Sequence, residues 1–536
     1  MKTSRKYLIL ALIAVFVMAL IPAGYTDTNR LMLVRVYVDS PQDAAYLMNN
    51  FDESHNHSAS EIELVLWPGD RAELDALGYT YDVVAADLLA RDARLEENAA
   101  TGLLPIPGPD REDYRRLSDY NSELKALAKK NPKLVKLFEM KRKSLEGRKI
   151  LGVEIAANVK NTKDGRPIFY MDAVHHAREW PASEYSQLFI YHLVEGFGKD
   201  KEITSLLKKL RVIIVPIVNV DGFHYTRETP LSSTQQLRNS TSLMGLGPVG
   251  LEGYWRKNRR SLTGVTNPAT ENNPDAYGID NNRNYAYLWG DSDGGSSGDY
   301  WNNTYRGAAP FSEPETRNVR DIVLSRLPTG IITNHTYQAS VLRAGGGNAP
   351  EDGILMRLGQ KMADVLKYQN APSVGYPTTG TTDDWAYAAM SALGFTIEHG
   401  RLGFHPPYAN EVGAFWKEHM KAFTIMAKAS LDKKYHSVLK GRVAGSGPAK
   451  LTVTKSFKTP LSPGNPTGKK AWPEKIHSSI VTNKNGSFEW HLTPSSRPYE
   501  KKDEAYTLTI SRGSNKKTMK VFVDRGQVKN LGTIRL

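Results

Sequence analysis

The chain has no cysteine among its 536 residues. That excludes disulfides, thiol nucleophiles and sulfur-ligated metal sites, so any metal must be held by His, Asp or Glu. Long apolar runs are equally scarce. One, from Tyr7 to Leu20, follows Lys2, Arg5 and Lys6 and precedes Pro22, Ala23 and Gly24. This is the layout of a secretory signal peptide, here assigned to residues 1–26, with an uncleaved N-terminal anchor as the alternative. The run is short for a membrane span, and no later stretch of the sequence reads as one. There is no internal repeat and no long low-complexity tract. What is present is size and an uneven charge. A mass of 59.7 kDa is too large for one ordinary domain. The net charge of +13 divides into +3 over 1–26, −10 over 27–100, +7 over 101–435 and +13 over 436–536. An acidic front and a basic tail imply different tasks at the two ends.

Residues 27–100 read as a small α+β unit: strands at "LMLVRVYV" and "EIELVLW", a helix at "SPQDAAYLMNNF", then helix, turn and strand within "GDRAELDALGYTYDVVAADL". A polar, Pro-containing joint over 101–110 follows and reads as an exposed, cleavable linker. Over 111–435 apolar strands such as "PIFYMDAV", "RVIIVPIVNV", "GIITNHTY" and "LGFTIEHG" alternate with amphipathic helices. Continuous apolar strands predict an α/β domain with a mixed, largely parallel open sheet and helices on both faces. From 436 to 536 short alternating strands between Gly, Pro, Asn and Ser turns predict a separate all-β sandwich.

In an open α/β sheet, ligands bind beyond the carboxyl ends of the strands. "PIFYMDAV" ends at Val174, so "HHAREW" stands where such a site belongs, and "GIITNHTYQ" supplies His335 at another strand end. Two His and one Glu with an open fourth position make a catalytic zinc arrangement. Either His176 with Glu179 (HxxE) or His175 with Glu179 (HxxxE) satisfies the spacing. Spacing alone leaves that choice open.

"HAREW", "YWRKNRR", "IDNNRNY", "NHTYQ", "YPTTGTTDDWAY" and "FTIEHG" occur in that order. Together they resemble the zinc carboxypeptidases of the carboxypeptidase A and B type, over roughly residues 111–432. The resemblance implies one catalytic Zn²⁺ on His176, Glu179 and His335, leaving His175 to packing or hydrogen bonding. It implies Glu398 as general base and Arg259 as the arginine that stabilises the oxyanion. It further implies Asn282 and Arg283 as the clamp on the substrate's terminal carboxylate, Tyr376 as the tyrosine that closes over the bound residue, and Arg178 and Tyr337 as contacts further along the peptide. The resemblance places Asp383 at the base of the specificity pocket, where a carboxylate favours substrates ending in Lys or Arg over apolar ones, with mixed basic and apolar specificity as the alternative. Residues 27–100 resemble the family's activation segment, which implies a zymogen. One departure is visible: "EHGRLGF" is shorter than the family's usual run after the catalytic glutamate, so the loop walling the pocket differs.

These residues imply a secreted, monomeric carboxypeptidase acting on peptides with a free C-terminus, without nucleic acid. The basic sandwich, with Lys469, Lys470, Lys516, Lys517 and Lys520, suggests a hold on an anionic cell-wall or cell-surface polymer. A peptidoglycan stem-peptide peptidase with the same zinc site and an inactive surface-binding protein are the alternatives. "GDSDG" matches a serine nucleophile elbow but lacks the helix that must follow it. Asp291, Asp293 and Asp299 form a candidate Ca²⁺ loop.

Overall fold

The structure is a computed structural model that describes residues 30–58, 60–97, 106–228, 251–262, 278–291, 295–300, 302–372 and 378–536. The signal-peptide assignment, Tyr376, Asp293 and residues 101–105 of the linker lie outside the described residues. No helix among those described is long and apolar enough to cross a membrane.

The N-terminal unit is a four-stranded sheet of β1 (Met32–Tyr37), β2 (Asp52–His57), β3 (Glu61–Leu66) and β4 (Tyr81–Ala85), in the order β2-β3-β1-β4. Strands β1 and β3 are where the apolar runs predict them. Strand β2, "DESHNH", carries almost no apolar residue and has no hydrophobic signature; it forms because β3 offers an edge to pair with. Its first residues, Asp52 and Glu53, are buried.

The middle of the chain builds an eight-stranded sheet from β5 (Val135–Glu139), β6 (Leu151–Ile155), β7 (Ile168–Ala173), β8 (Arg211–Val215), β9 (Gly330–Thr336), β10 (Ser340–Arg343), β11 (Gln369–Ala371) and β12 (Leu393–His399). The order is β11-β10-β12-β9-β7-β8-β6-β5. The central pairs β12/β9, β9/β7 and β7/β8 are parallel, while β6 joins β8 and β10 joins β12 antiparallel. Every residue of β7, β8, β9 and β12 is buried, as continuous apolar runs require when helices cover the sheet. The register sets His335 of β9 directly beside Glu398 of β12, so two of the residues predicted for the site share one end of the sheet.

The C-terminal strands are β13 (Ser437–Val443), β14 (Lys450–Pro460), β15 (Ala471–Val481), β16 (Ser487–Leu492), β17 (Tyr506–Arg512), β18 (Asn515–Val521) and β19 (Val528–Ile534). They form sheets ordered β16-β13-β19 and β15-β14-β17-β18. Along β14 buried and less buried residues alternate, the period of a strand with one face on a core. These sheets are separate from the central one, yet they share its core: a single buried cluster includes Ile331, Ile397 and Trp385 of the central domain together with Leu451, Ile476 and Trp490 of the sandwich. Lys516, Lys517 and Lys520 lie on the edge strand β18, where lysine blocks further strand addition.

Candidate active site

Strand β7 ends at Ala173, and Val174 takes a left-handed backbone (φ 56°), uncommon for a β-branched residue. The turn carries His175 to Glu179 over the strand end, and Pro181 opens the helix Trp180–Gly196 that follows. Within the turn, His176 Nδ1 lies 2.6 Å from Glu179 Oε1. His335 Nδ1 lies 2.9 Å from Glu179 Oε2 and 3.2 Å from His176 Nδ1. All three residues are buried, and they are the only His, Asp or Glu group among the described residues close enough to share an ion. Asp291 and Asp299 belong to no such group among the described residues, so the candidate Ca²⁺ loop finds no support there.

Each histidine points its other nitrogen outward to a partner. His176 Nε2 is 3.1 Å from Asp280 Oδ1, and His335 Nε2 is 3.3 Å from Asn282 Nδ2. A carboxylate behind a ligating histidine fixes its ring and tautomer. Burial, with the Arg256 charge nearby, lowers His176 to about 4 and His335 to about 3, so both rings are neutral and their lone pairs available. Burial opposes the charge on Asp280, yet Arg256, His176 and Arg283 hold its carboxyl well below the usual range. Two neutral imidazoles and one carboxylate converging on one point are a donor set that fits zinc.

His175 is not part of this convergence. Its Nε2 meets Tyr285 Oη at 2.9 Å and Thr382 Oγ1 at 3.0 Å, and its ring stacks on His335 at 5.6 Å and 20°. Glu398 is buried, and burial together with the Glu179 and Glu53 charges raises its pKa well above the ordinary carboxylate value.

The structure corrects the placing of Arg259. Its guanidinium packs over Tyr225 at 3.9 Å and Trp255 at 4.9 Å, and lies 3.7 Å from Glu146, away from the metal ligands. Arg256, three residues earlier, is the buried cation, 2.9 Å from Asp280. The segment from Trp255 to Arg260 is neither helix nor strand, so no regular period tells which of its arginines turns inward. A run of cations such as "WRKNRR" does not record which arginine the fold buries.

Arg283 is buried, donating from Nη1 to the Asn282 carbonyl at 3.0 Å. Asn282 Oδ1 accepts the Thr382 amide at 3.0 Å, which ties this loop to the helix Thr382–Met390. Asp383 is buried in that helix's first turn, where burial raises its carboxyl against hydrogen bonds from Thr381 and Thr396. Asp384 caps the turn instead, accepting the Gly345 amide at 2.6 Å and the Thr381 hydroxyl at 3.0 Å.

The resemblance implies that residues 27–100 cover these groups, but no spacing in the chain names the individual partners. Arg178 donates to both carboxylate oxygens of Asp52, at 2.6 and 2.9 Å, and to the Glu53 carbonyl at 3.0 Å. Glu53 Oε1 stands 3.7 Å from Arg283 and 4.0 Å from Arg256. Tyr337 is buried under Leu33, Val65 and Trp67 of the N-terminal unit, beside Phe404. Trp67 Nε1 donates to Asp52 at 2.9 Å, so the carboxylate that meets Arg178 is itself held in place.

The zinc carboxypeptidase family model matches residues 120–422. Human carboxypeptidase B is 26% identical over 344 residues, covering 61% of this chain and 73% of the relative. Rat mast cell carboxypeptidase A is 28% identical over 338 residues, covering 59% and 72%. Among solved structures, carboxypeptidase A from Helicoverpa armigera superposes with a TM-score of 0.59 at 22% identity, covering 75% of this chain and 98% of that one. Thrombin activatable fibrinolysis inhibitor gives 0.57 at 20%, covering 75% and 99%. With the family match spanning more than half of the chain and both histidines and the glutamate converging within it, the protein belongs to the zinc carboxypeptidase family and is a metallocarboxypeptidase.

Proposed function

We propose that the protein is a secreted zymogen that, once its N-terminal unit is removed, hydrolyses the C-terminal residue of peptides and prefers Lys or Arg there. The observation that carries the zymogen reading is the pair of N-terminal acids on three buried cations, Asp52 on Arg178 and Glu53 between Arg256 and Arg283. Those cations are the ones a peptide's carboxylate and developing oxyanion would use. A substrate and the N-terminal unit cannot hold them together.

His176, Glu179 and His335 would hold the zinc, which when bound would supply Lewis acidity toward the scissile carbonyl. Glu398 takes a proton from the attacking water and passes it to the leaving amine, a role suited by its raised pKa. Arg256, buried and fixed by Asp280, faces the charge that develops on the carbonyl oxygen. Arg283 and Asn282 hold the terminal carboxylate, for which a planar guanidinium gives two parallel donors. Arg178 and Tyr337 serve residues further back along the peptide.

Asp383 supports the basic preference. A buried carboxyl with a raised pKa gains most when a cation meets it. The kinship to proteins named carboxypeptidase B points the same way. The test is kcat/KM on paired peptides ending in Arg and Phe, measured on chain cut within 98–105 after folding. The Arg peptide should lead by roughly 10- to 100-fold, the scale of one charged hydrogen bond, and Asp383→Ile should erase that lead. A parent that prefers Phe, or a ratio unmoved by the substitution, refutes the basic preference.

A further inference from the structure

The helix Thr382–Met390, which presents Asp383, is gripped by the C-terminal sandwich at three places. In its middle, Trp385 Nε1 donates to Glu474 of β15 at 3.0 and 3.2 Å to the two carboxylate oxygens, and Thr459 of β14 donates to the same group. Trp385 is completely buried and Glu474 nearly so, so neither can turn to water for a partner. On its outer side, Tyr387 meets Tyr499 edge-on at 5.9 Å, and Tyr499 also stacks on Tyr287 at 5.3 Å and 12°. At its end, Ser391 closes the helix in a left-handed conformation (φ 58°). Its hydroxyl donates to the Ser496 carbonyl at 2.9 Å, and Arg525 donates to its carbonyl at 2.8 Å.

The same helix reaches inward to the reacting groups. The Trp385 ring lies 5.4 Å from Tyr285, whose hydroxyl meets His175, and His175 stacks on the metal ligand His335. Thr382 binds His175 and donates to Asn282 Oδ1 at 3.1 Å. A displacement of the helix would therefore move Asp383 and the Asn282 side of the carboxylate clamp together, while the three metal ligands stay on β9 and the His175–Glu179 turn.

The geometry points to the sandwich as a working part of the specificity site: Glu474, acting through Trp385, is a positioning residue that fixes the helix bearing Asp383 and so sets affinity for the departing C-terminal residue. This rests on the carboxypeptidase reading above and extends it to a second domain. Because Glu474 touches neither substrate nor metal ligand, its loss should appear in KM and not in kcat. A buried indole N–H left without an acceptor forces the helix to shift or water to enter, and either loosens the pocket floor.

The test uses full-length chain, folded with zinc and then cut within 98–105. Glu474→Leu should raise KM for an Arg-terminated peptide about tenfold, the effect of one lost buried hydrogen bond. Its kcat should stay within about threefold of the parent and its zinc content unchanged. Glu474→Gln, which keeps an acceptor, should recover most of the loss. Should Glu474→Leu not fold, Trp385→Phe removes the donor instead and should give the same split. Calorimetry of the same peptide on Glu398→Gln chain, with and without Glu474→Leu, reads the affinity without turnover. Parental binding in Glu474→Leu, failure of Glu474→Gln to recover, or a fall in kcat at constant KM would each overturn the role of Glu474. A parent that binds the peptide and does not cleave it would overturn the reaction assignment alone, since the calorimetric comparison still decides the role of Glu474.

Discussion

The two flanking units meet the central domain in opposite ways. The N-terminal unit keeps a core of its own, built from Val34, Val36, Leu47, Ile62 and Leu64, and seals the site through a second small cluster and a few ion pairs. The sandwich has no private core: its Leu451, Ile476, Trp490 and Leu508 belong to the same buried cluster as the central sheet. A unit whose apolar side chains are satisfied internally can leave once its polar contacts break; one that shares its core cannot leave without exposing it. This difference supports the proposal that the acidic front is removed while the basic tail remains.

The largest effect should come from removing each unit in turn. Cutting within 98–105 should raise kcat/KM on small peptides at least ~100-fold, because only the uncovered fraction of the enzyme can bind. Deleting 436–536 should instead yield no soluble folded enzyme, since a large apolar face would be laid open. Equal activity before and after the cut, or a well-folded zinc-loaded chain without the sandwich, would break the comparison. A smaller effect should follow from weakening the seal without cutting. Asp52→Asn with Glu53→Gln leaves Arg178 buried without its carboxylate, a loss of ~3 to 5 kcal/mol that opening would relieve. The uncut double variant should therefore gain roughly 10- to 100-fold in activity, the part of that energy that biases opening. No gain would show that the apolar contacts of Tyr337 and Trp67 hold the seal by themselves.

The smallest effect sharpens the other half. Burial raises Glu474 from 4.5 to about 7, against hydrogen bonds from Thr459 and Trp385. An acid whose folded pKa is raised keeps its proton more readily in the folded state. Its contribution is fully present below pH 4.5 and is lost as pH climbs through 7, at most ~3 kcal/mol on a scale of 1.36 per pH unit. Glu474→Gln, permanently neutral, should remove that slope and melt higher than the parent at pH 8. A parent and variant with parallel melting curves from pH 4.5 to 8 would show that the carboxyl is not desolvated there.

Much of the site was legible because its signals are local. "HAREW" holds two of the metal ligands within one turn, and apolar runs ending at Val174 and near His335 mark the strand ends where ligands gather. The parallel sheet followed from strands too apolar to face water. The choice between Arg256 and Arg259 was not legible, because a run of cations looks alike on paper and only the path of the chain says which one turns inward. Strand β2 was hidden for a related reason: its polar residues give no period, and it exists only because β3 and the site arginines accept it.

By itself the sequence determined the family and, through the order of its motifs, named His176, Glu179 and His335 as the candidate metal donors. These depend on neighbours a few residues apart or on motifs in fixed order. Only the tertiary structure decided that Asp52 meets Arg178 across 126 residues and that Glu474 meets Trp385 across 89. The partners are chosen by burial: a charge or an indole N–H removed from water must find whatever complementary group the fold brings within reach, and no spacing in the chain records which group that is.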